Sequence, residues 1–220
     1  MIRILKIDKN PLTTIGEIAG VCYNSTNPKH FENIAKKCLI QGHTRVAEFV
    51  GITLEIDGYS AKMVRELYTL ISGTSRVQSS TRYIDYSNGM FDYVTPPSVV
   101  NSHNEDVWHS TMIQIAKAME CLRADGVPVE DLTNLLPLAY TTKMVLQINL
   151  RALIHMFNVR ACACAYHEYR TFMAELNKLL RVQGNEWVYL SDQYFKPKCE
   201  AVGYCEEVTR SCGRKPIKNK

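Results

Sequence analysis

A strand followed by a helix with a polar stripe is the stretch of this sequence best suited to binding chemistry. The run from Tyr140 to Ile148 is rich in Thr, Val and Ile, which predicts a buried strand. Beyond it, Arg151, His155 and Asn158 are spaced i, i+4 and i+7 among apolar residues, so we expect them along one side of a helix. Such a stripe, with Arg160 close behind it, can line a pocket for an anion or a ring system.

A hydroxyl and a guanidinium two residues apart form a second candidate site. On an extended segment, Ser80 and Arg82 would face the same side and together suit a phosphate monoester, because arginine donates charge-assisted hydrogen bonds in pairs. A serine at a strand edge and an arginine in a surface ion pair explain the same two residues. From the residues alone, this second interpretation is preferred.

The composition is that of an ordinary globular protein. The net charge of +4 is mild, and much of it lies near the C-terminus, whereas nucleic-acid platforms are usually more basic and carry a concentrated stripe. No run approaches the roughly 20 apolar residues that a membrane span requires. The N-terminal residues do not resemble a signal peptide, and eight cysteines without one predict reduced thiols. We therefore expect a cytoplasmic protein that binds neither membranes nor nucleic acids.

Periodicity predicts further elements on both sides of the first stretch. Two more strands are expected, at Ile2 to Ile7 and at Val50 to Ile56. Helices are expected from a capping box at Thr14 and Glu17 to Cys22, from Phe31 to Leu39 with Gly42 as the C-terminal cap, from a Ser60 cap through Ile71 to about Gly73, from Asn104 to Gly126, and from Leu150 to Leu180. Residues 1–195 are expected to form one domain and residues 196–220 a basic, Cys-containing tail.

Several of these residues also carry a family resemblance. The C-terminal half resembles flavin-dependent thymidylate synthases, which show an L-P pair, a Thr-led strand, N-x-R-x-L-x-H-F, an Arg and A-Q-W-E-x-R. The matching positions are Leu136, Pro137, Thr142, Asn149, Arg151, Leu153, His155, Arg160, Ala165, Glu168 and Arg170, with Met156 in place of the Phe. Upstream, Gly42, His43 and Glu48 match the family's G-H-x-S-x-x-E-H, and the run from Gln78 to Tyr83 matches the end of its signature.

The resemblance implies a fold and a reaction. It implies an α+β protein with the thymidylate synthase-complementing (ThyX-like) fold, a sheet flanked by long helices, assembled as a homotetramer whose active sites combine several subunits. The family reaction transfers a one-carbon unit from methylenetetrahydrofolate by way of FAD to carbon 5 of dUMP, and NADPH reduces the flavin. The resemblance assigns Arg160 to catalysis. It assigns Gln78, Ser80, Arg82 and Arg160 to the nucleotide and His43, Glu48, Asn149 and His155 to the cofactor. In such a tetramer, Ser80 and Arg82 would meet Arg160 from another subunit.

Three departures from the family pattern concern the same sites. The family's Arg-His-Arg triplet is absent: Leu70, Ile71 and Ser72 stand there when counted back from Ser80, and Thr69, Leu70 and Ile71 when counted forward from Ser60. Thr133 replaces an arginine that reaches the substrate in the family, and Phe49 replaces its second histidine. Two alternatives therefore stay open: a member that acts on another pyrimidine nucleotide or modifies carbon 5 differently, and a non-catalytic nucleotide-binding or interaction protein that has lost the flavin.

Simpler interpretations of the individual residues also remain. On sequence alone, a surface-turn histidine is the preferred interpretation of His43. His155 is also explained as a partly buried histidine bonded to a carbonyl, and Arg160 as a member of a surface ion pair. The tail cysteines Cys199, Cys205 and Cys212 have a spacing that matches none of the common zinc signatures. We therefore predict no metal site, although the thiols have the ligand chemistry for one.

Overall fold

A computed structural model describes residues 1–70 and 72–218 of the chain. Its sheet has four strands in the order β1-β2-β4-β3, namely β1 (Ile2–Ile7), β2 (Gly51–Ser60), β3 (Thr74–Gln78) and β4 (Thr141–Asn149). Paired backbone hydrogen bonds, such as Leu150 N to Val50 O and Ala61 N to Tyr140 O, make β2 and β4 antiparallel. The predicted strands are thus confirmed, and β3 is an additional one.

Ten α-helices and several short 3₁₀ turns are described around these strands. The helices are α1 (Pro11–Gly20), α2 (Phe31–Ile40), α3 (Ala61–Leu67), α4 (Pro97–Val100), α5 (Glu105–Ala124), α6 (Val129–Leu132), α7 (Leu150–Arg160), α8 (His167–Arg181), α9 (Asn185–Tyr194) and α10 (Lys198–Val202). None of the described helices is long and apolar enough to cross a membrane. The α+β class is confirmed.

The chain forms two compact units, which we call the central unit and the terminal unit. The central unit consists of Met1, Glu55–Thr69 and Arg76–Val145, and the terminal unit of Ile2–Leu54, Leu70–Ser75 and Leu146–Lys220. The expected single domain over residues 1–195 with a tail over 196–220 stays a prediction; of that tail, residues 219–220 lie outside the described part of the chain.

The core of the central unit lies against helix α5. Met112 and Met119 on α5 are buried together with Phe91 and Leu132. Tyr140, at the start of β4, contacts Tyr86 edge to face with ring centroids 5.6 Å apart. Burial of these apolar side chains removes hydrocarbon from water, which is the main favourable contribution to folding. This core supports the start of β4 and the loop that precedes α5.

In the terminal unit, the start of α9 is attached to the start of α1. Trp187 is fully buried, and its indole Nε1 donates a hydrogen bond to the Asp8 carbonyl at 2.8 Å. The neighbouring Glu186 carboxylate accepts hydrogen bonds from Leu12 N at 2.6 Å and Thr13 N at 3.1 Å. The first backbone N–H groups of α1 therefore find their partner in a residue about 170 positions away.

The predicted start of α1 is wrong for this reason. The helix begins at Pro11 rather than after a capping box at Thr14, and the Thr14 hydroxyl donates to the Asn10 carbonyl at 3.1 Å. Proline suits the first helical position because its missing N–H would have no partner there. The long-range cap by Glu186 then replaces the local one that the sequence indicated.

Two other helix boundaries also differ from the predictions. The Ser60 cap is confirmed by a 3.1 Å hydrogen bond from Met63 N, but α3 ends at Leu67, whose carbonyl accepts from Arg76 Nη1 at 2.9 Å. Ile71, expected in this helix, lies outside the described residues.

The single helix predicted from Leu150 to Leu180 is wrong as well. It is divided into α7 and α8 by a turn over residues 161–166, in which Tyr166 has an extended ψ of 136°. Carbonyls in this turn accept from Ala165 N and from the Arg170 side chain, so the backbone is satisfied without a continuous helix. Apolar periodicity continues across the turn, and for that reason it did not reveal the break.

Candidate functional site

The terminal unit contains a polar cleft at the point where β4 ends and α7 begins. The cleft has a volume of about 410 Å³, and Lys6, Glu48, Phe49, Gly73 and Asn149 are among its lining residues. We call it the Asn149 cleft. Two of the four residues predicted for cofactor binding, Glu48 and Asn149, thus lie in one cavity of a size that suits a small organic ligand.

Asn149 has a structural role at the N-terminus of α7. Its Oδ1 accepts a hydrogen bond from Ala152 N at 2.9 Å, which makes it the N-cap of the helix. Its backbone N donates to the Gly73 carbonyl at 2.9 Å, and Gly73 has a φ of +73°. The side-chain Nδ2 makes no hydrogen bond to any residue in the described ranges. The hydrogen bonds with Ala152 N and the Gly73 carbonyl therefore hold Asn149, with its Nδ2 donor, at the cleft.

Charge in this cleft is partly neutralised. Glu48 forms an ion pair with Arg151, and both side chains are about half exposed, 41% and 54%. Such exposed pairs contribute little to stability. Phe49 is 68% exposed, so an aromatic ring stands at the cleft where the family has a histidine. The arginine of the predicted polar stripe is thus already paired with a predicted cofactor residue.

The two histidines predicted for the cofactor lie elsewhere. His43 is exposed at the start of the 3₁₀ turn Thr44–Phe49, and His155 is exposed on α7; neither lines the Asn149 cleft. Asn158, the third member of the stripe, donates from Nδ2 to the Ile154 carbonyl at 2.7 Å within its own helix. The structure therefore does not bring the whole stripe to one cavity.

In the central unit, the predicted phosphate residues lie in a turn and not on an extended segment. Ile84 N donates to the Ser80 carbonyl at 3.1 Å, and Ser80 Oγ accepts from Arg82 N at 3.2 Å. The expectation of an extended conformation is wrong, because these local bonds close the chain into a turn. Ser80 and Arg82 are nevertheless adjacent, with the serine hydroxyl beside the arginine backbone.

The side chain of Arg82 has an acidic partner. Its Nε donates to Glu130 Oε2 at 2.9 Å, and the side chains are 68% and 50% exposed. Thr133, which replaces the family's arginine, donates from Oγ1 to the Thr81 carbonyl at 3.0 Å. The segment around α6 thus contacts the turn at both a side chain and a carbonyl.

Gln78 lies at the end of β3 beside a second cleft. Its Nε2 donates to Thr142 Oγ1 at 3.2 Å. Thr142, Ser79 and Lys143 line this cleft, which has a volume of about 290 Å³, and Lys143 forms an ion pair with Asp57 at 3.0 Å. Gln78 is therefore already held by a hydroxyl beside this polar cavity.

Arg160 is the last residue of α7. It is half-buried, and its guanidinium carbon lies 5.1 Å from the centroid of the Tyr169 ring, which is the geometry of a cation–π contact. Arg160 belongs to the terminal unit, whereas Ser80 and Arg82 belong to the central unit. Their meeting across subunits stays a prediction.

Five cysteines line a cleft between the end of α7 and the tail. The cleft has a volume of about 190 Å³, and the five are Cys162, Cys164, Cys199, Cys205 and Cys212. Burial raises the pKa of the Cys164 thiol, as does the neighbouring Cys162, and burial is also the main cause of the raised pKa of Cys199. Within residues 1–70 and 72–218, no three His, Cys, Asp or Glu side chains are placed to hold a metal ion.

Two relevant residues were missed by the sequence reasoning. Gly73 was interpreted only as the end of a helix, although its positive φ beside Asn149 gives it a further role. Glu130 was not considered, since it is 48 residues from Arg82 and no local pattern joins the two. The sequence signal that could have identified Gly73 is its position between two polar residues, Ser72 and Thr74, after a helix. No sequence signal pointed to Glu130.

Comparison with known proteins places these observations in a family. The chain matches the family described as thymidylate synthase complementing protein over residues 3–183. A flavin-dependent thymidylate synthase from Geobacter sulfurreducens is 30% identical over 224 residues, which cover 97% of this chain and 94% of that protein. One from Nitratidesulfovibrio vulgaris is 33% identical over 191 residues, which cover 82% of this chain and 75% of that protein.

Solved structures show the same fold. A Helicobacter pylori flavin-dependent thymidylate synthase complexed with FAD and dUMP matches with a TM-score of 0.70 at 18% identity, covering 89% of this chain and 99% of that chain. A second structure of the protein from the same organism, also with FAD and dUMP, has a TM-score of 0.67 at 20% identity. The predicted ThyX-like fold is confirmed.

Proposed function

Because the chain belongs to the thymidylate synthase complementing protein family, we propose that it is a flavin-dependent thymidylate synthase-like methyltransferase. The reaction is transfer of a one-carbon unit from methylenetetrahydrofolate by way of FAD to carbon 5 of dUMP, with NADPH as the reductant. The observation that carries the proposal is the Asn149 cleft, where a family-matching asparagine presents a fixed donor. The naming of the relatives as flavin-dependent thymidylate synthases supports it.

The Asn149 cleft fits a flavin in its chemistry. Asn149 Nδ2 and the hydroxyl of Ser75 offer neutral groups to the carbonyl oxygens and nitrogens of a ring system, and Phe49 offers an aromatic surface. Gly73 has no side chain, and the Asn149 amide lies where a Cβ would otherwise be. FAD, when bound, supplies the redox chemistry and carries the one-carbon unit. Asn149, Ser75 and Phe49 would hold and orient it in the cleft.

We also propose that three further residues contact the cofactor, namely His43, Glu48 and His155. They differ in whether they line the Asn149 cleft. Glu48 lines the cleft, and its pairing with Arg151 would fix the orientation of both side chains. His43 and His155 are exposed away from this cleft. Contact of the two histidines with the cofactor therefore requires a neighbouring subunit, in keeping with the homotetramer that we propose. Sedimentation at four times the mass of the chain would support the tetramer, and sedimentation as a monomer would contradict it.

The proposed nucleotide site uses the Ser80 turn. Arg82 donates to Glu130 from Nε and its side chain is 68% exposed, so its terminal amino groups can donate to a phosphate. Ser80 and Gln78 supply polar groups beside it. Arg160 is proposed to stabilise negative charge that develops on the pyrimidine during transfer, which is the role of an electrostatic catalyst.

A second candidate is a related reaction on another pyrimidine nucleotide. It is favoured by Thr133, which donates to the Thr81 carbonyl and brings no cation to the turn. A hydroxyl stands here where the family has an arginine that reaches the substrate, so the groups that meet the substrate differ from the family's.

Growth of a strain that lacks thymidylate synthase tests the main proposal. Cells that express this chain should grow without added thymidine, and cells that express an Arg160→Ala variant at the same level should not. Failure of the well-expressed, unmodified chain to support growth would contradict the proposal and favour the second candidate.

A further inference from the structure

Gly73 is adjacent to the residue that we place at the centre of the cofactor cleft. We propose that Gly73 is a positioning residue for cofactor binding: by lacking a side chain, it allows Asn149 to cap α7 and at the same time present Nδ2 to the Asn149 cleft. This inference rests on the proposed function and adds to it a residue that the family motifs do not include.

The contact between the two residues is too close for any other amino acid. A Cβ added to Gly73 would lie 2.5 Å from Asn149 Nδ2 and 2.7 Å from Asn149 Oδ1. Carbon atoms do not approach nitrogen or oxygen atoms this closely without displacement. The φ of +73° at Gly73 is a second requirement for glycine, because residues with a Cβ rarely adopt that conformation.

Asn149 cannot easily move away from such a Cβ. Its Oδ1 is held by the hydrogen bond from Ala152 N at 2.9 Å, and its backbone N is held by the Gly73 carbonyl at 2.9 Å. Rotation of the amide would break the N-cap of α7 or turn Nδ2 out of the cleft. The same amide therefore performs two tasks only while Gly73 leaves it room.

The orientation of this amide decides which ligand atoms it can serve. Because the helix cap uses Oδ1, the group left for a ligand is the Nδ2 donor, and its partner must be an acceptor. Carbonyl oxygens and unprotonated ring nitrogens of a flavin are such acceptors.

The first experiment compares Gly73→Ala with Gly126→Ala. Gly126 also has a positive φ, +85°, but an added Cβ there meets nothing within 4 Å. Both variants bear the backbone cost of the left-handed conformation, whereas only Gly73→Ala displaces Asn149. Titration of the full chain with FAD, followed by flavin fluorescence, should show about tenfold weaker binding for Gly73→Ala, the size expected for loss of one hydrogen bond. Gly126→Ala should bind FAD within about twofold of the unmodified chain.

Asn149→Ser separates the two tasks, and unchanged FAD affinity in this variant would overturn the inference even if Gly73→Ala does not fold. Serine caps helices as well as asparagine but lacks the Nδ2 donor. The variant should keep its thermal unfolding temperature and bind FAD about tenfold more weakly. Unchanged FAD affinity in both Gly73→Ala and Asn149→Ser would overturn the inference and leave the proposed function intact. No FAD binding by the unmodified chain would overturn both.

Discussion

Replacing Glu186 with alanine removes the partner of the first turn of α1. The carboxylate accepts from Leu12 N at 2.6 Å and Thr13 N at 3.1 Å, and its other oxygen accepts from the Thr13 hydroxyl at 2.6 Å. Alanine leaves these donors without an acceptor at a half-buried site. Helix α1 packs against α2 and against the 3₁₀ turn that carries Glu48, so the loss reaches a wall of the Asn149 cleft.

The size of the effect follows from the bonds that are lost. Loss of an N-cap costs about 0.5–2 kcal/mol, and a hydrogen bond to a charged group contributes about 1.5–3 kcal/mol. The two describe overlapping interactions, so Glu186→Ala should lower the free energy of unfolding by about 2–3 kcal/mol. Glu186→Gln keeps an acceptor oxygen and should lower it by about 1 kcal/mol. In a protein of this length, each kcal/mol lowers Tm by about 2–4 °C, so the alanine variant should lose about 4–12 °C.

Thermal unfolding followed by circular dichroism measures this loss directly. Glu17→Ala is a matched control, because Glu17 is an exposed glutamate on α1 itself, and its removal should change the free energy of unfolding by less than about 0.5 kcal/mol. Equal Tm values for Glu186→Ala and Glu17→Ala would refute the reasoning, since the long-range cap would then contribute nothing.

Three further predictions concern the thiols, the tail and the nucleotide site. Alkylation at pH 7 followed by mass spectrometry should label exposed Cys22 before Cys164, because burial raises the pKa of Cys164 and lowers its thiolate fraction; equal rates would contradict this. Hydrogen bonding to Lys198 lowers the pKa of Glu206 in the folded state. The ion pair should therefore stabilise the tail at neutral pH, and this stabilisation should be lost as pH falls through that lowered pKa. Amide hydrogen exchange of the tail measures the loss. Protection factors of the tail amides, which correct for the intrinsic pH dependence of exchange, would count against the pair if they were unchanged between pH 7 and pH 3. Arg160→Ala should weaken dUMP binding by about 10- to 100-fold in calorimetric titration, and an unchanged affinity would count against the proposed pocket.

The sequence predicted the elements whose signals are local. Strand β4, the Asn149-led helix α7 and the Ser60 cap of α3 all depend on residues within a few positions of one another, and the structure contains them. Regular alternation of buried residues along β4 is visible in the sequence as alternating Thr, Met, Leu and Ile. The general placement of the family motifs at strand and helix ends was predictable for the same reason.

Features set by distant partners were not predictable from local patterns. The start of α1 depends on Glu186, which follows it by about 170 residues, so the local capping-box signal at Thr14 was misleading. The contact of Arg82 with Glu130 joins residues 48 positions apart, so no local pattern indicated it. Periodicity describes which face of an element is apolar, but it does not describe where a chain finds hydrogen-bond partners.

Formation of dTMP by the purified protein tests the central claim most directly. The full chain, loaded with FAD, is incubated without oxygen with dUMP, methylenetetrahydrofolate and NADPH, and the nucleotides are identified by mass spectrometry. We expect a product 14 Da heavier than dUMP, about the mass of one added CH₂ unit. Its formation should require dUMP, methylenetetrahydrofolate and NADPH together, and the Arg160→Ala variant should not form it. Recovery of unchanged dUMP from protein that has bound both FAD and dUMP would contradict it.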